Sequence, residues 1–195
     1  MSSYRVVSEV SKALRSVLWA EFEEDDDFNA VTNEADIVFK NPTETARDSA
    51  NRLSLWLYHI TEDAYLKNQP ARRGNGAGIS QFPPLALDFY YLITPFGPSG
   101  EADQLILGKT MEVLYDNAIL LVDNPEDEIA EELRVIFCRL SLEELTRIWE
   151  ALREPYRLSV CYQVRVTRID SQRRPLHARV IEQNSDYFGA ASDLG

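Results

Sequence analysis

Residues 82–96 read Phe-Pro-Pro-Leu-Ala-Leu-Asp-Phe-Tyr-Tyr-Leu-Ile-Thr-Pro-Phe, and the fold is decided here. Leu85, Leu87, Phe89, Tyr91 and Ile93 alternate with Ala86, Asp88, Tyr90, Leu92 and Thr94. A period of two carried by aromatic and branched side chains is the pattern of a pleated strand. Pro83-Pro84 and Thr94-Pro95 bracket it, because proline removes a ladder donor and restricts its neighbour. Both faces are largely apolar, so the pattern predicts a central strand covered on both sides, not an edge facing water.

On the N-terminal side, Leu53, Leu55 and Leu57 alternate with Ser54, Trp56 and Tyr58, predicting a second long strand to about Glu62. His59 falls near its end and reads as a polar boundary. Residues 67–81 lie between the two strands, with three glycines, Arg72, Arg73, Asn75 and no apolar period. They read as a projecting loop, and a loop of this length in a domain is more often functional than accidental. Further upstream, Asp36–Lys40 reads as a short strand closed by Asn41-Pro42. Residues 3–22 carry Val6, Val7, Val10, Leu14, Val17, Leu18 and Phe22 at three- and four-residue spacing, with Arg5, Glu9, Lys12 and Arg15 on the other side. The acidic run Glu23–Asp27 ends that helix by opposing its dipole.

On the C-terminal side, a turn at 97–101 leads into a helix over 101–117, with Leu107, Met111 and Leu114 as its stripe. Strands follow at 118–122 and 133–138, with a turn of helix opening at Asn124-Pro125 between them. Ser141-Leu-Glu-Glu144 is a capping box, and Leu145, Ile148, Trp149 and Leu152 form the stripe behind it, up to Pro155. Residues 158–169 read as the longest strand, and His177–Ile181 as one more short strand before a polar tail. The sum is an α/β (α+β) domain over residues 1–170, a mixed sheet of four to six strands flanked by about three helices. Residues 171–195 read as a C-terminal basic arm and flexible tail.

Composition narrows the function. The chain has 195 residues, 27% of them charged and 45% hydrophobic, which suits one globular domain with an appendage. A net charge of −12 argues against nucleic acid and anionic membranes as partners. No apolar run approaches the roughly 20 residues of a membrane span, and no signal-peptide layout opens the chain, so assembly in the cytoplasm is expected. Acid collects at Glu21–Asp27 and again at Asp123–Glu132, while Arg153, Arg157, Arg165, Arg168, Arg173, Arg174 and Arg179 lie late. Such poles suit head-to-tail association, and they also read as solvated faces. Cys138 and Cys161 sit in apolar strand-like runs and read as inert core thiols.

No pattern asks for catalysis, a cofactor or a metal. Leu107-Gly-Lys-Thr110 resembles the end of a phosphate-binding loop, but Asp103 stands where that loop needs glycine, and no strand leads into it. Gly74–Gly78 does not open an amphipathic helix, so it lacks the dipole that binds anions. His59 and His177 have no ligand cluster around them. The acidic blocks lack the alternating carboxylates and central glycine of a calcium loop. No serine or cysteine is placed as an activated nucleophile.

Four segments taken in order carry a resemblance: Phe82–Phe96, Leu105–Asn117, Leu140–Leu152 and Pro155–Val166. Together they resemble the cap, or tail-terminator, proteins of extracellular contractile injection systems of the antifeeding-prophage and virulence-cassette type. The resemblance runs from the first helix to about Ile169. It implies a phage tail-terminator-like fold and a structural role: a hexameric ring closing the inner tube and last sheath layer at the distal end of a phage-tail-like particle. The implied partners are other copies of the chain, the sheath protein and the inner tube protein. Many relatives carry a longer C-terminal extension, so a minimal cap is expected here.

On that reading, Arg72, Arg73 and Asn75 are candidates for touching the tube end. Arg173, Arg174, His177, Arg179 and Ile181 are candidates for a strand-adding arm on a neighbour or the sheath, with main-chain hydrogen bonds for affinity and arginines for register. A frayed terminus is the plainer reading of the same arm. The alternatives are a tube or baseplate connector of the same particle, or a small anion- or nucleotide-binding domain using Gly74–Gly78 and Lys109.

Overall fold

The 82–96 stretch forms β3 (Leu85–Pro95) in the computed structural model, which describes residues 5–63, 85–122 and 131–169. Its neighbours are β2 (Leu53–Glu62) on one side and β6 (Val160–Ile169) on the other, both antiparallel to it. Beyond β2 lies the two-residue β1 (Ile37–Val38), parallel to it. Beyond β6 lie β5 (Glu131–Cys138) and the edge strand β4 (Ile119–Val122). The order β1-β2-β3-β6-β5-β4 makes a mixed six-stranded sheet with β3 and β6 at its centre. With eleven residues, β3 is longer than β6, whose first regular residue is Val160; Leu158 and Ser159 stay outside the ladder.

Alternation in these strands sorts their residues onto two faces. One face collects Leu53, Leu55, Phe89, Tyr91, Ile93, Leu120, Leu133, Val135, Tyr162 and Val164 in a single core. Helix α1 (Val6–Glu24) lays Val6, Val10, Leu14, Leu18 and Phe22 into that core, all buried at four-residue spacing. At about 1.5–3 kcal/mol for each fully buried side chain, this stripe alone stabilises the fold by on the order of 10 kcal/mol before chain entropy. Ser11 lies on the same buried side, where its hydroxyl meets Tyr91 Oη at 2.8 Å. The helix stops because the Asp25 carboxylate accepts the Asp27 N–H at 3.1 Å, a local turn that competes with another helical turn.

Helix α3 (Gly100–Asp116) covers the rest of this face, and its stripe differs from the expected one. Ile106, Leu107, Thr110, Val113 and Leu114 are buried, whereas Met111 is exposed. Thr110 can join the stripe because its hydroxyl donates to the Ile106 carbonyl at 2.7 Å and so sits in the core without an orphaned polar atom. Ser99 caps the helix by accepting the Ala102 N–H, and Gly97 packs against its first turn.

The opposite face is covered around Ser54, Leu92 and Thr94, all fully buried. Asn41 does more than close β1: it caps the one-turn α2 (Pro42–Thr45), accepting the Glu44 N–H at 2.9 Å, with proline at the first position. The segment before α2 is fastened to β2 where Ser54 Oγ donates to the Lys40 carbonyl at 2.7 Å. Helix α4 (Leu142–Leu152) starts with both halves of the Ser141–Glu144 capping box and buries Trp149, whose indole N–H donates to Ser159 Oγ. It ends before Pro155, at Arg153 in the left-handed region (φ 57°).

Candidate assembly surfaces

The two ends of the sheet differ in what the chain does there. Leu85, at the start of β3, pairs with Ile169 at the end of β6, and Leu87 pairs with Glu62 at the end of β2. Val122, ending β4, pairs with Glu131, opening β5. Residues 64–84, residues 123–130 and everything after 169 are therefore all attached at one pole of the sheet. At the other pole lie Leu53, Pro95, Val160 and Cys138, where α2 and α4 attach.

A cleft of ≈ 340 Å³ opens between α2 and the segment after α4, lined by Pro42, Phe96, Trp149, Pro155 and Arg157 among others. Arg157 lies 4.6 Å over the Phe96 ring and 3.4 Å from Asp103 Oδ2. Its guanidinium is held by a ring and a carboxylate, which fixes the wall of the cleft. A packing role accounts for those contacts.

The β4 edge presents apolar side chains outward. Ile119 is 56% exposed and Leu121 70% exposed, and the strand contains no charge and no proline. Natural edge strands are usually blunted by charge, proline or a bulge, so an edge of this kind suits coverage in an assembly. Just before it, at the end of α3, Tyr115 is 82% exposed. Among the described residues, β5 is the only strand paired with β4.

Electrostatics tie the acidic turn to the helices. Lys109 Nζ lies 2.7 Å from Asp25 Oδ2 and 3.4 Å from Glu112 Oε1. The hydrogen bond to Lys109 is the main cause holding the Asp25 carboxyl below its usual range, and the same contact pushes the Lys109 ammonium up. The Gly108-Lys109 pair sits in the middle of α3, away from any helix N-terminus. A phosphate cradle needs the amides of a first helical turn, so this lysine is not placed for nucleotide chemistry.

Asp88 is a buried acidic residue of β3. It pairs in register with Arg165, but the closest approach, 3.7 Å from Oδ1 to Nε, is too long for a hydrogen bond, and neither atom has another partner. Burial pushes the Asp88 carboxyl above its usual range; a Gln163 hydrogen bond opposes this, Asp63 adds to it, and Arg165 opposes it. Beside it runs a row of rings, the half-buried Tyr58 6.5 Å and the exposed His59 5.5 Å from the half-buried Tyr90. His59 lies inside β2, not at its end, because Leu57 pairs with Tyr91 and His59 with Tyr90, leaving Tyr58 as the extra residue of a bulge. Among the described residues no group of three His, Cys, Asp or Glu is placed to hold a metal ion. No helix among them is long and apolar enough to cross a membrane.

Every interface residue expected from sequence falls outside the described residues: Arg72, Arg73 and Asn75 in 64–84, and Arg173, Arg174, His177, Arg179 and Ile181 after 169. The structure supplies their roots, Asp63, Leu85 and Ile169, which share the pole. Two features escaped the sequence reading, the open β4 edge and the opposition of Cys138 to Cys161 across β5 and β6. Strand order and register decide both, and a single sequence carries no direct signal of either.

A family model of the Pvc16 N-terminal domain matches residues 9–183. The chain belongs to this family. Its fold is also that of two solved structures. One is described as the sheath/tube terminator, in the extended state, of the PVC extracellular contractile injection system, with a TM-score of 0.65 and 22% identity over 97% of this chain. The other is described as the tube-terminating cap of the anti-feeding prophage, with a TM-score of 0.58 and 23% identity over 91% of this chain. This chain spans 65% and 60% of the length of those two chains. No curated protein matches it. The α+β architecture with a mixed sheet, expected from the 82–96 stretch, is the fold these terminators share.

Proposed function

We propose that this member of the Pvc16 N-terminal domain family is a non-catalytic cap that terminates the inner tube and sheath of a contractile injection particle, as a ring of six copies at the distal end. The observation that carries the reading is the family match over residues 9–183, in a fold whose solved relatives are described as tube or sheath terminators.

Three features support the finer parts. A ring needs heterologous contacts, one patch against a different one, and the exposed β4 edge on one side of the sheet is suited to receive a strand. The arginines after Ile169 and the acidic runs provide complementary charge for such contacts. Attachment of the 64–84 segment and the C-terminal arm at one pole suits both to the end of the particle, with Arg72, Arg73 and Asn75 as the tube contacts and Arg173, Arg174, His177, Arg179 and Ile181 as contacts to the sheath or a neighbour.

Locating the chain on particles tests this reading. An epitope tag decorated with gold should mark one end only, opposite the baseplate. Label at the baseplate end would make the chain a connector, and label along the shaft would exclude both. Native mass spectrometry should give six copies in the isolated ring. A chain ending at Asp170 that still caps particles would remove the arm from the account.

A further inference from the structure

The antiparallel register of β5 and β6 sets Cys138 directly opposite Cys161. Register partners project to the same face of a sheet, so the two thiols stand side by side across the β5–β6 seam. The Tyr58 hydroxyl lies 3.2 Å from Cys161 Sγ. Both thiols are free, Cys161 buried and Cys138 half-buried. Opposed residues of antiparallel strands have Cα atoms roughly 4.5 or 5.5 Å apart and Cβ atoms roughly 4.5–5.5 Å apart. A disulfide needs roughly 4.4–6.8 Å and 3.5–4.5 Å. The Cα spacing already fits, and the Cβ spacing fits after a small approach.

We propose that Cys138 and Cys161 form a redox-modification site, at which a small-molecule disulfide of the glutathione class closes a cross-strand bond between β5 and β6. Cys138 is the entry point because it is the more accessible thiol. The adjacent Cys161 thiol also favours its thiolate, while the neighbouring Cys138, followed by burial, pushes the Cys161 thiol up. The Cys138 thiolate attacks one sulfur of oxidised glutathione, forming a protein–glutathione mixed disulfide and expelling one glutathione thiolate. Cys161 then loses its proton and attacks Cys138 Sγ, expelling the second. Two protein thiols and one oxidised glutathione become one protein disulfide and two reduced glutathiones; two electrons pass to the oxidant, and both protons end on the released thiols.

The bond closes a loop over residues 139–160, which contains all of α4. It ties that helical connection at its base, next to the bulge that carries Tyr58. The site stands independently of the assembly reading, since it needs only the register of two strands.

The test uses the purified full chain, reduced and then incubated with excess oxidised glutathione, read by intact mass, thiol titration and non-reducing peptide mapping. The expected product is a monomer lighter by two hydrogen atoms, with both thiols lost and the 138 and 161 peptides joined. Its melting temperature should rise by roughly 5 °C or more, and reductant should reverse the change. Cys161→Ala should stop at the mixed disulfide on Cys138, and Cys138→Ala should leave Cys161 unreacted. A wild-type chain that keeps both thiols, stops at the mixed disulfide, or cross-links between molecules overturns the proposal. That result does not depend on either variant folding.

Discussion

Leu85 of β3 and Ile169 of β6 are register partners at one end of the sheet. Neighbouring strands lie about 4.8 Å apart, so the segment entering β3 and the segment leaving β6 are attached almost side by side. If both engage one partner surface, their charges act together. Arg72→Glu with Arg73→Glu, and Arg173→Glu with Arg174→Glu, should each weaken association with tube and sheath by roughly tenfold, more so at low salt. The four-fold variant should fall short of the product of the two, because sites sharing a partner are coupled. A pull-down series read as a double-mutant cycle checks this; strictly multiplicative losses would put the two segments on separate surfaces.

The Ser11–Tyr91 contact joins α1 to the central strand inside the core. Tyr91→Phe keeps the ring and leaves Ser11 with only its 3.3 Å contact to the Val7 carbonyl. Urea unfolding should show a loss of about 1 kcal/mol with an unchanged slope. An unaltered midpoint would mean that the hydroxyl pair contributes nothing net.

Asp88 gives the fold a pH dependence of defined sign. Its carboxyl is raised above the ordinary value of 3.8, burial being the main cause. A raised folded-state value makes the contribution of protonated Asp88 fully present below the unfolded value, and that contribution fades as pH rises through the folded one. Asp88→Asn removes this titration. The stability of the variant relative to wild type should therefore improve as pH rises above the ordinary value of 3.8, levelling off above the folded-state value, as measured by urea midpoints. A difference that stays flat across that window would show that Arg165 and Gln163 fully offset burial.

Gly97 is held by space. A Cβ there would stand 2.7 Å from Ala102 Cβ and 3.0 Å from backbone atoms of the first turn of α3. The same residue donates its N–H to Asp103 Oδ1 at 2.6 Å. Gly97→Ala should cost about 1–3 kcal/mol through overpacking, seen as a lowered melting temperature, whereas Gly100→Ala, with open space around it, should be tolerated. Equal melting temperatures for the two variants would contradict this packing.

What could be read in the sequence was what depends on neighbours along the chain. Alternation from Leu85 to Ile93 placed the central strand, and three- and four-residue spacing placed α1, because each periodicity is a local consequence of geometry. The capping box at Ser141 marked the start of α4 for the same reason. Leu107 and Leu114 are buried as the spacing predicts, but Met111 was misplaced because it satisfies the same spacing; the position between them is taken by Thr110, whose hydroxyl is satisfied by the Ile106 carbonyl. His59 was misplaced because a bulge adds one residue without changing the apolar pattern. The β4 edge, the shared pole and the Cys138–Cys161 pair depend on strand order and register, which arise only when distant segments meet. The interface residues were chosen from composition and family resemblance, and the structure bears on them only through the positions of their roots.

The central claim is that this chain stops tube and sheath growth, and electron microscopy of particles assembled without it tests that most directly. Tube and sheath lengths should become widely spread, with bare tube ends or sheaths that fail to persist, and supplying the chain should restore uniform length. Fully sheathed particles of uniform length in its absence would contradict the account.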